Sequence, residues 1–145
     1  NKGPYRKLAF IGRWLGFRLV IDRLMNIMFS QTFLNDPAKK AVRERWRNHL
    51  LGLNKKGTSR AAHGVIDRQG VYDQLGRIDQ PTLIIVGDED VATVPMKSER
   101  MHAAIRNSRL EVIPHAGHSS SIEEPGAVTA TMRSFLYSLP PGQNL

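Results

Sequence analysis

The stretch PTLIIVGDED, residues 81–90, is the strongest structural signal in this sequence. Leu83 to Val86 form an unbroken aliphatic run between Pro81 and Gly87, which is typical of a strand buried on both faces of a parallel sheet. Three acids follow the strand directly: Asp88, Glu89 and Asp90. Functional groups of open parallel sheets lie beyond the carboxyl ends of the strands, so a functional carboxylate is expected here.

A second strand-like run, Leu110 to Ile113, is followed by a loop that contains His115 and His118. The carboxyl ends of neighbouring parallel strands lie at the same edge of a sheet, so we expect an acid and a histidine to meet there. An acid and a histidine are two of the three members of a nucleophilic triad. Taken without the histidines, the acids are equally well explained as a polar end to the strand.

With both segments considered together, the sequence resembles the α/β-hydrolase family. In that family a late strand reads Pro, hydrophobic run, Gly-x-x-Asp, and the last strand is followed by Gly-His and a helix often opened by Glu-x-Pro or Glu-Pro. The residues that match this pattern are Pro81, Leu83 to Val86, Gly87, Asp90, Gly117, His118, Glu124 and Pro125. The order of acid before histidine also agrees with the family.

The resemblance implies an α/β fold class, in which the C-terminal part of an α/β-hydrolase parallel sheet is preceded by a helical cap. Residues 1–75 are expected to form the helical cap or lid, and residues 76–145 the C-terminal part of the core. It also implies a role for each site residue: Asp90, three residues after Gly87, orients the imidazole, and His118 is the general base.

Other assignments of the site remain open. Asp88 is the alternative acid and His115 the alternative base, while Glu89 is expected to face solvent. Asp90, His115 and His118 have a spacing compatible with a metal site. An acid from one strand and a histidine from the next match the triad order better, so no metal and no cofactor are expected.

The family's nucleophile lies on a Gly-x-Ser-x-Gly turn upstream of the acid, and this sequence contains no such turn. Ser30 lies in MFSQT, Ser59 lies in GTSRA, and cysteine is absent. We therefore expect a missing N-terminal half of the same domain to supply the nucleophile and the oxyanion hole. Serine, aspartate and cysteine nucleophiles share this order, so the choice among them stays open.

The resemblance implies hydrolysis of an ester or lactone in a small, mostly apolar substrate, by a chain that is inactive alone. The alternative is a truncated or divergent binding or interaction module of the same fold, with its basic helices as the contact surface.

The net charge of +8 comes from residues 1–60, which hold 14 basic and 3 acidic residues. Lys39 to Arg47 is the densest basic run, but Trp46 is its only aromatic residue, so we expect no nucleic-acid partner.

Membrane insertion is not expected, because no apolar run reaches the length needed to span a bilayer. The absence of cysteine and of a signal-peptide pattern in the first residues fits a cytoplasmic protein.

Apolar periodicity and start signals predict the helices. They are expected over Tyr5 to Phe29, from Ala38 to about Leu53 after an Asp36 cap, from a Thr58 or Ser59 cap to about Gln69, over Met96 to Ile105, and from Glu124 onward.

Overall fold

The computed structural model describes residues 3, 6–7, 10–11 and 16–140, which fall into two compact units. One unit comprises the described residues of Asn1–Asn26 and Asp36–Gly70, and the other comprises those of Ile27–Asn35 and Val71–Leu145. The boundary expected between residues 75 and 76 from the family pattern stays a prediction.

The first unit is helical. Its elements are a 3₁₀ turn at Phe17–Leu19, helix α1 at Ile21–Met28, a 3₁₀ turn at Pro37–Lys39, helix α3 at Lys40–Leu51 and helix α4 at Lys55–Asp67. The last two residues of α1 belong to the second unit. An ion pair of 2.5 Å between Arg47 and Asp22 joins α3 to α1. The buried apolar residues of this unit are Phe17, Val20, Ile21, Met25 and Ile66.

The single helix predicted from Tyr5 to Phe29 is wrong at its centre. Gly16 has a φ of 93°, a left-handed conformation that glycine adopts at little cost and that an α-helix does not contain. A 3₁₀ turn follows, and α1 begins only at Ile21. Most of the predicted stretch before Gly16, including Leu8 and Trp14, lies outside the described residues.

The helix starts were predicted with mixed success. The cap predicted at Asp36 is confirmed, because its Oδ1 atom accepts the N–H of Ala38 at 2.8 Å. The third helix begins earlier than predicted, since Asn54 accepts the N–H of Gly57 at 2.8 Å. The Asn54 side chain thus satisfies an N–H group of the first turn of α4, and Ser59 lies buried inside the helix.

The second unit contains the parallel sheet that the sequence predicts. Strands β1 (Thr82–Gly87) and β2 (Ser108–Ile113) pair in parallel, from Thr82 opposite Ser108 to Gly87 opposite Ile113. The other elements are helix α2 at Gln31–Asn35, a 3₁₀ helix at Tyr72–Arg77, helix α5 at Pro95–Ala104, helix α6 at Ser120–Glu123 and helix α7 at Pro125–Tyr137. The parallel pairing brings the carboxyl ends of both strands to one edge.

The core of this unit lies directly beneath that edge. Ile113, Ala116 and Val128 form a buried cluster against which Ile85 packs, so the last residue of β2 and the loop beyond it are anchored in apolar surroundings. The rings of Phe29 and Phe33 stack with centroids 5.0 Å apart. Among the described residues, none of the helices has both the length and the hydropathy to cross a membrane.

Candidate active site

The side chains of Asp90 and His118 meet at the carboxyl ends of β1 and β2. The Nδ1 atom of His118 lies 2.9 Å from the Oδ2 atom of Asp90. The Asp90 side chain is 6% exposed and that of His118 is 39% exposed. An ionised carboxylate only accepts hydrogen bonds, so Nδ1 carries the ring proton of the neutral imidazole and Nε2 keeps a lone pair.

The carboxylate of Asp90 is held by its own loop. Its Oδ1 atom accepts the backbone N–H groups of Ala92 and Thr93, each at 2.8 Å, and the N–H of Asp90 donates to the carbonyl of Gly87 at 3.2 Å. These bonds fix the orientation of the carboxyl group. As a result, the second oxygen is directed at the imidazole.

The other two acids bind elsewhere. Asp88 bridges the two strand ends, because its N–H donates to the carbonyl of Ile113 at 3.1 Å and its Oδ1 accepts the N–H of Ala116 at 3.3 Å. Glu89 accepts the Thr32 hydroxyl and the Thr32 N–H, the latter at 3.1 Å. Glu89 is only partly buried, and the donors on it come from α2, a contact that the sequence did not predict.

The donors on Glu89 also affect its ionisation. The side-chain hydrogen bond from Thr32, followed by the bond from the Thr32 backbone, lowers the pKa of Glu89 below its ordinary value. Hydrogen bonds to the charged form of a carboxylate favour that form. Glu89 thus has a defined structural partner, Thr32, in helix α2.

His115 has a different environment from His118. Its φ is 61°, and its carbonyl accepts the hydroxyl of Ser30 at 3.0 Å. The structure therefore brings together Asp90 and His118, and places the backbone of His115 against Ser30. Within the described part of the chain, no group of three or more His, Asp or Glu side chains is arranged to hold a metal ion.

Two glycines allow the loops of the site to approach each other closely. A Cβ atom on Gly87 would lie 2.1 Å from the carbonyl oxygen of Ala116, and one on Gly117 would lie 2.5 Å from the backbone nitrogen of Ser30. The sequence predicts that Gly117 allows a tight turn. In the structure its φ is not in the left-handed region, and what requires glycine is the closeness of the neighbouring backbone.

A buried carboxylate lies behind the histidine loop. Glu123 is 0% exposed, and it accepts the N–H groups of Ser30 at 2.8 Å, Gly117 at 3.0 Å and Ser119 at 3.2 Å. Sequence reasoning missed this residue and singled out its neighbour Glu124 as the helix start. Two signals could have found it: Glu123 and Pro125 match the Glu-x-Pro form of the family pattern, and an acid within one turn of a serine-rich loop can cap the backbone before it.

The comparisons with known proteins identify the family of the fold. The family model of the alpha/beta hydrolase fold matches residues 7–125, so the chain belongs to that family. The predicted resemblance to this family is thereby confirmed. The parallel sheet and the helices are parts of the alpha/beta hydrolase fold.

Individual relatives include esterases. The chain is 29% identical over 132 residues to a putative 2-succinyl-6-hydroxy-2,4-cyclohexadiene-1-carboxylate synthase of Bacillus subtilis (strain 168), covering 90% of this chain and 44% of that protein. It is 31% identical over 90 residues to a pimeloyl-[acyl-carrier protein] methyl ester esterase of Neisseria meningitidis serogroup B (strain ATCC BAA-335 / MC58), covering 60% and 35%. A solved structure of a thermophilic esterase from Thermogutta terrifontis, with malate bound, is similar with a TM-score of 0.81 and 31% identity, covering 94% and 49%. The chain spans half or less of the length of these relatives.

Proposed function

We propose that this chain is the C-terminal portion of an α/β-hydrolase that hydrolyses an ester or lactone in a small, mostly apolar substrate. Asp90 is the orienting acid and His118 the general base. The observation that carries the proposal is the 2.9 Å contact between Nδ1 of His118 and Oδ2 of Asp90, formed between the ends of two adjacent parallel strands. The relatives named as esterases support the same type of reaction.

The chemistry follows from the tautomer that Asp90 selects. With a hydroxyl or thiol nucleophile, the lone pair on Nε2 of His118 takes its proton as that group attacks the carbonyl carbon, and the protonated ring then gives the proton to the departing alkoxide. A water molecule, deprotonated by the same nitrogen, then attacks the acyl carbon. The bond to the nucleophile breaks, the carboxylic acid leaves, and Nε2 returns the proton to the nucleophile. Asp90 remains ionised throughout and stabilises the imidazolium.

The nucleophile and the oxyanion hole are proposed to come from the N-terminal half of the same domain. No Gly-x-Ser-x-Gly turn occurs in the 145 residues. Ser30 is 1% exposed and its hydroxyl donates to the carbonyl of His115, so it is occupied and shielded from a substrate. Ser59 is also buried, at 3% exposure.

A chromogenic ester assay tests this division of roles. The chain alone is expected to show no turnover above buffer, because it lacks the group that attacks the carbonyl carbon. Turnover that disappears in His118→Ala would contradict this, since it would place a working nucleophile inside the chain. In the coding sequence, an in-frame nucleophile turn upstream of Asn1 supports the proposal, and a start codon directly before Asn1 contradicts it.

The competing proposal is a non-catalytic binding module of the same fold. Its basis is the basic first segment, in which helix α3 displays exposed cations such as Lys40 and Arg45. The two proposals differ in what they require of the site. A binding module would keep its partner affinity in Asp90→Asn and His118→Ala, whereas a hydrolase joined to its nucleophile would lose on the order of 10³-fold or more in rate.

A further inference from the structure

Glu123 is a fully buried carboxylate that lies five residues after a partly exposed imidazole. Burying a carboxylate is costly unless hydrogen-bond donors compensate for the lost water. Here backbone N–H groups from two separate parts of the second unit supply that compensation. The position of this side chain is therefore strongly determined.

The Oε1 atom of Glu123 holds the backbone on both sides of His118. It accepts the N–H of Gly117 at 3.0 Å and the N–H of Ser119 at 3.2 Å. In the reverse direction, the N–H of Glu123 donates to the carbonyl of Ser119 at 3.1 Å. The backbone is thus held at the residue directly before His118 and at the residue directly after it.

The Oε2 atom ties the same loop to the segment before helix α2. It accepts the N–H of Ser30 at 2.8 Å. Two further bonds run between these segments, from the Ser30 hydroxyl to the carbonyl of His115 at 3.0 Å and from the N–H of Ser119 to the carbonyl of Met28 at 3.0 Å. The histidine loop is therefore attached at both of its ends.

We infer that Glu123 is a positioning residue, which holds His118 in the orientation that its contact with Asp90 requires. The inference rests on the proposed function, in which the imidazole must stay aligned while it moves protons. The Asp90 side of the contact is fixed by the Ala92 and Thr93 N–H groups, and Glu123 provides the equivalent restraint on the histidine side. A displacement of about 1 Å in such a pair is enough to impair catalysis.

Glu123→Gln removes this restraint with almost no change in size. An amide has one oxygen and one NH₂ group, whereas both carboxylate oxygens of Glu123 face N–H donors. Whichever way the amide turns, its NH₂ group opposes either the Ser30 donor or the Gly117 and Ser119 donors. Glu99→Gln is the matched control, because it makes the same chemical change at an exposed position on α5.

The readout is the solvent exchange of the His118 Nδ1–H proton, measured by NMR on the whole chain. In Glu123→Gln we expect exchange to be faster by at least about tenfold, the effect of losing one hydrogen bond to a charged group. Glu99→Gln should leave it unchanged. An unchanged exchange rate of the Nδ1–H proton in a folded Glu123→Gln variant would overturn the inference alone. A His118 ring that carries no proton on Nδ1 in the unmutated chain would overturn the proposed catalytic pair as well.

Amide hydrogen exchange in the unmutated chain gives a second test that does not depend on a variant folding. The amides of Ser30 and Gly117 both donate to the Glu123 carboxylate, so they should become exposed in one opening event with similar protection. Similar protection supports the inference. A Ser30 amide that exchanges freely while that of Gly117 stays protected would contradict it.

Discussion

The backbone N–H of Ser30 donates to the buried carboxylate of Glu123 at 2.8 Å, although 93 residues separate the two in the sequence. Through this bond the segment that precedes α2 becomes part of the support of the histidine loop. The loop of the proposed base is therefore held by residues that are far apart in the sequence. Several consequences of this arrangement can be measured.

Gly117→Ala should destabilise the second unit by about 2 kcal/mol or more, the usual cost of overpacking a close contact. The added Cβ would lie 2.5 Å from the nitrogen of Ser30 and 2.8 Å from the carbonyl carbon of Phe29, and both are backbone atoms that cannot rotate away. Urea denaturation of the variant measures the loss.

Gly126→Ala is the control for that substitution, because nothing lies within 4 Å of a Cβ at this position in α7. We expect it to be neutral, or more stable by up to about 1 kcal/mol through helix propensity. Equal destabilisation by the two substitutions would mean that the contact between Gly117 and Ser30 is not what requires glycine.

Thr32→Val removes the hydroxyl donor from Glu89 while keeping a side chain of similar shape. The pKa of Glu89 in the folded protein lies below its ordinary value of 4.5, so the stabilisation is present above that pH and is lost as the pH falls through the lowered pKa. The variant should be less stable than the unmutated chain by about 1 kcal/mol at neutral pH.

The difference caused by Thr32→Val should shrink in acid, as the pH falls through the lowered pKa of Glu89 and its carboxyl group becomes protonated. Urea denaturation at neutral pH and at an acidic pH checks this. Thr129→Val, at an exposed position on α7, is the control and should show no such pH dependence. A constant difference at both pH values would mean that the Thr32 hydroxyl does not act through the charge of Glu89.

Asn54 and Ser59 test where helix α4 begins. Asn54→Ala should cost about 1 kcal/mol, because the N–H of Gly57 loses its acceptor. Ser59→Ala should be neutral or stabilising by up to about 1 kcal/mol, since its buried hydroxyl has no hydrogen-bond partner among the described residues. If Ser59 were the cap, as the sequence suggested, the two results would be reversed.

The strands were the part of the fold most accessible from the sequence. The aliphatic run between Pro81 and Gly87 predicted a strand over Leu83 to Val86, and the ladder of β1 extends it by one residue at each end. The second strand begins earlier than predicted, at Ser108, because the ladder continues through polar residues that periodicity cannot recognise. Hydrogen bonding to β1, and not hydropathy, sets that boundary.

The supporting contacts of the site could not be predicted. The choice of Asp90 as the acid followed from its position three residues after Gly87 in the sequence, which is a local pattern. The bonds from Ser30 and Gly117 to Glu123 depend on tertiary folding, and no periodicity in the sequence indicates which distant amides a carboxylate will accept. Likewise, the bond from Thr32 to Glu89 exists only because α2 packs in the second unit.

The ring tautomer of His118, read by ¹⁵N NMR at neutral pH, tests the central claim most directly. In the unmutated chain the proton should be on Nδ1, facing Asp90. In Asp90→Asn the amide oxygen must stay with the N–H groups of Ala92 and Thr93, so its NH₂ group faces Nδ1 and the ring proton should move to Nε2. Asp88→Asn should leave the proton on Nδ1; a His118 that is protonated on Nε2 in the unmutated chain, or that does not respond to Asp90→Asn, would contradict the account.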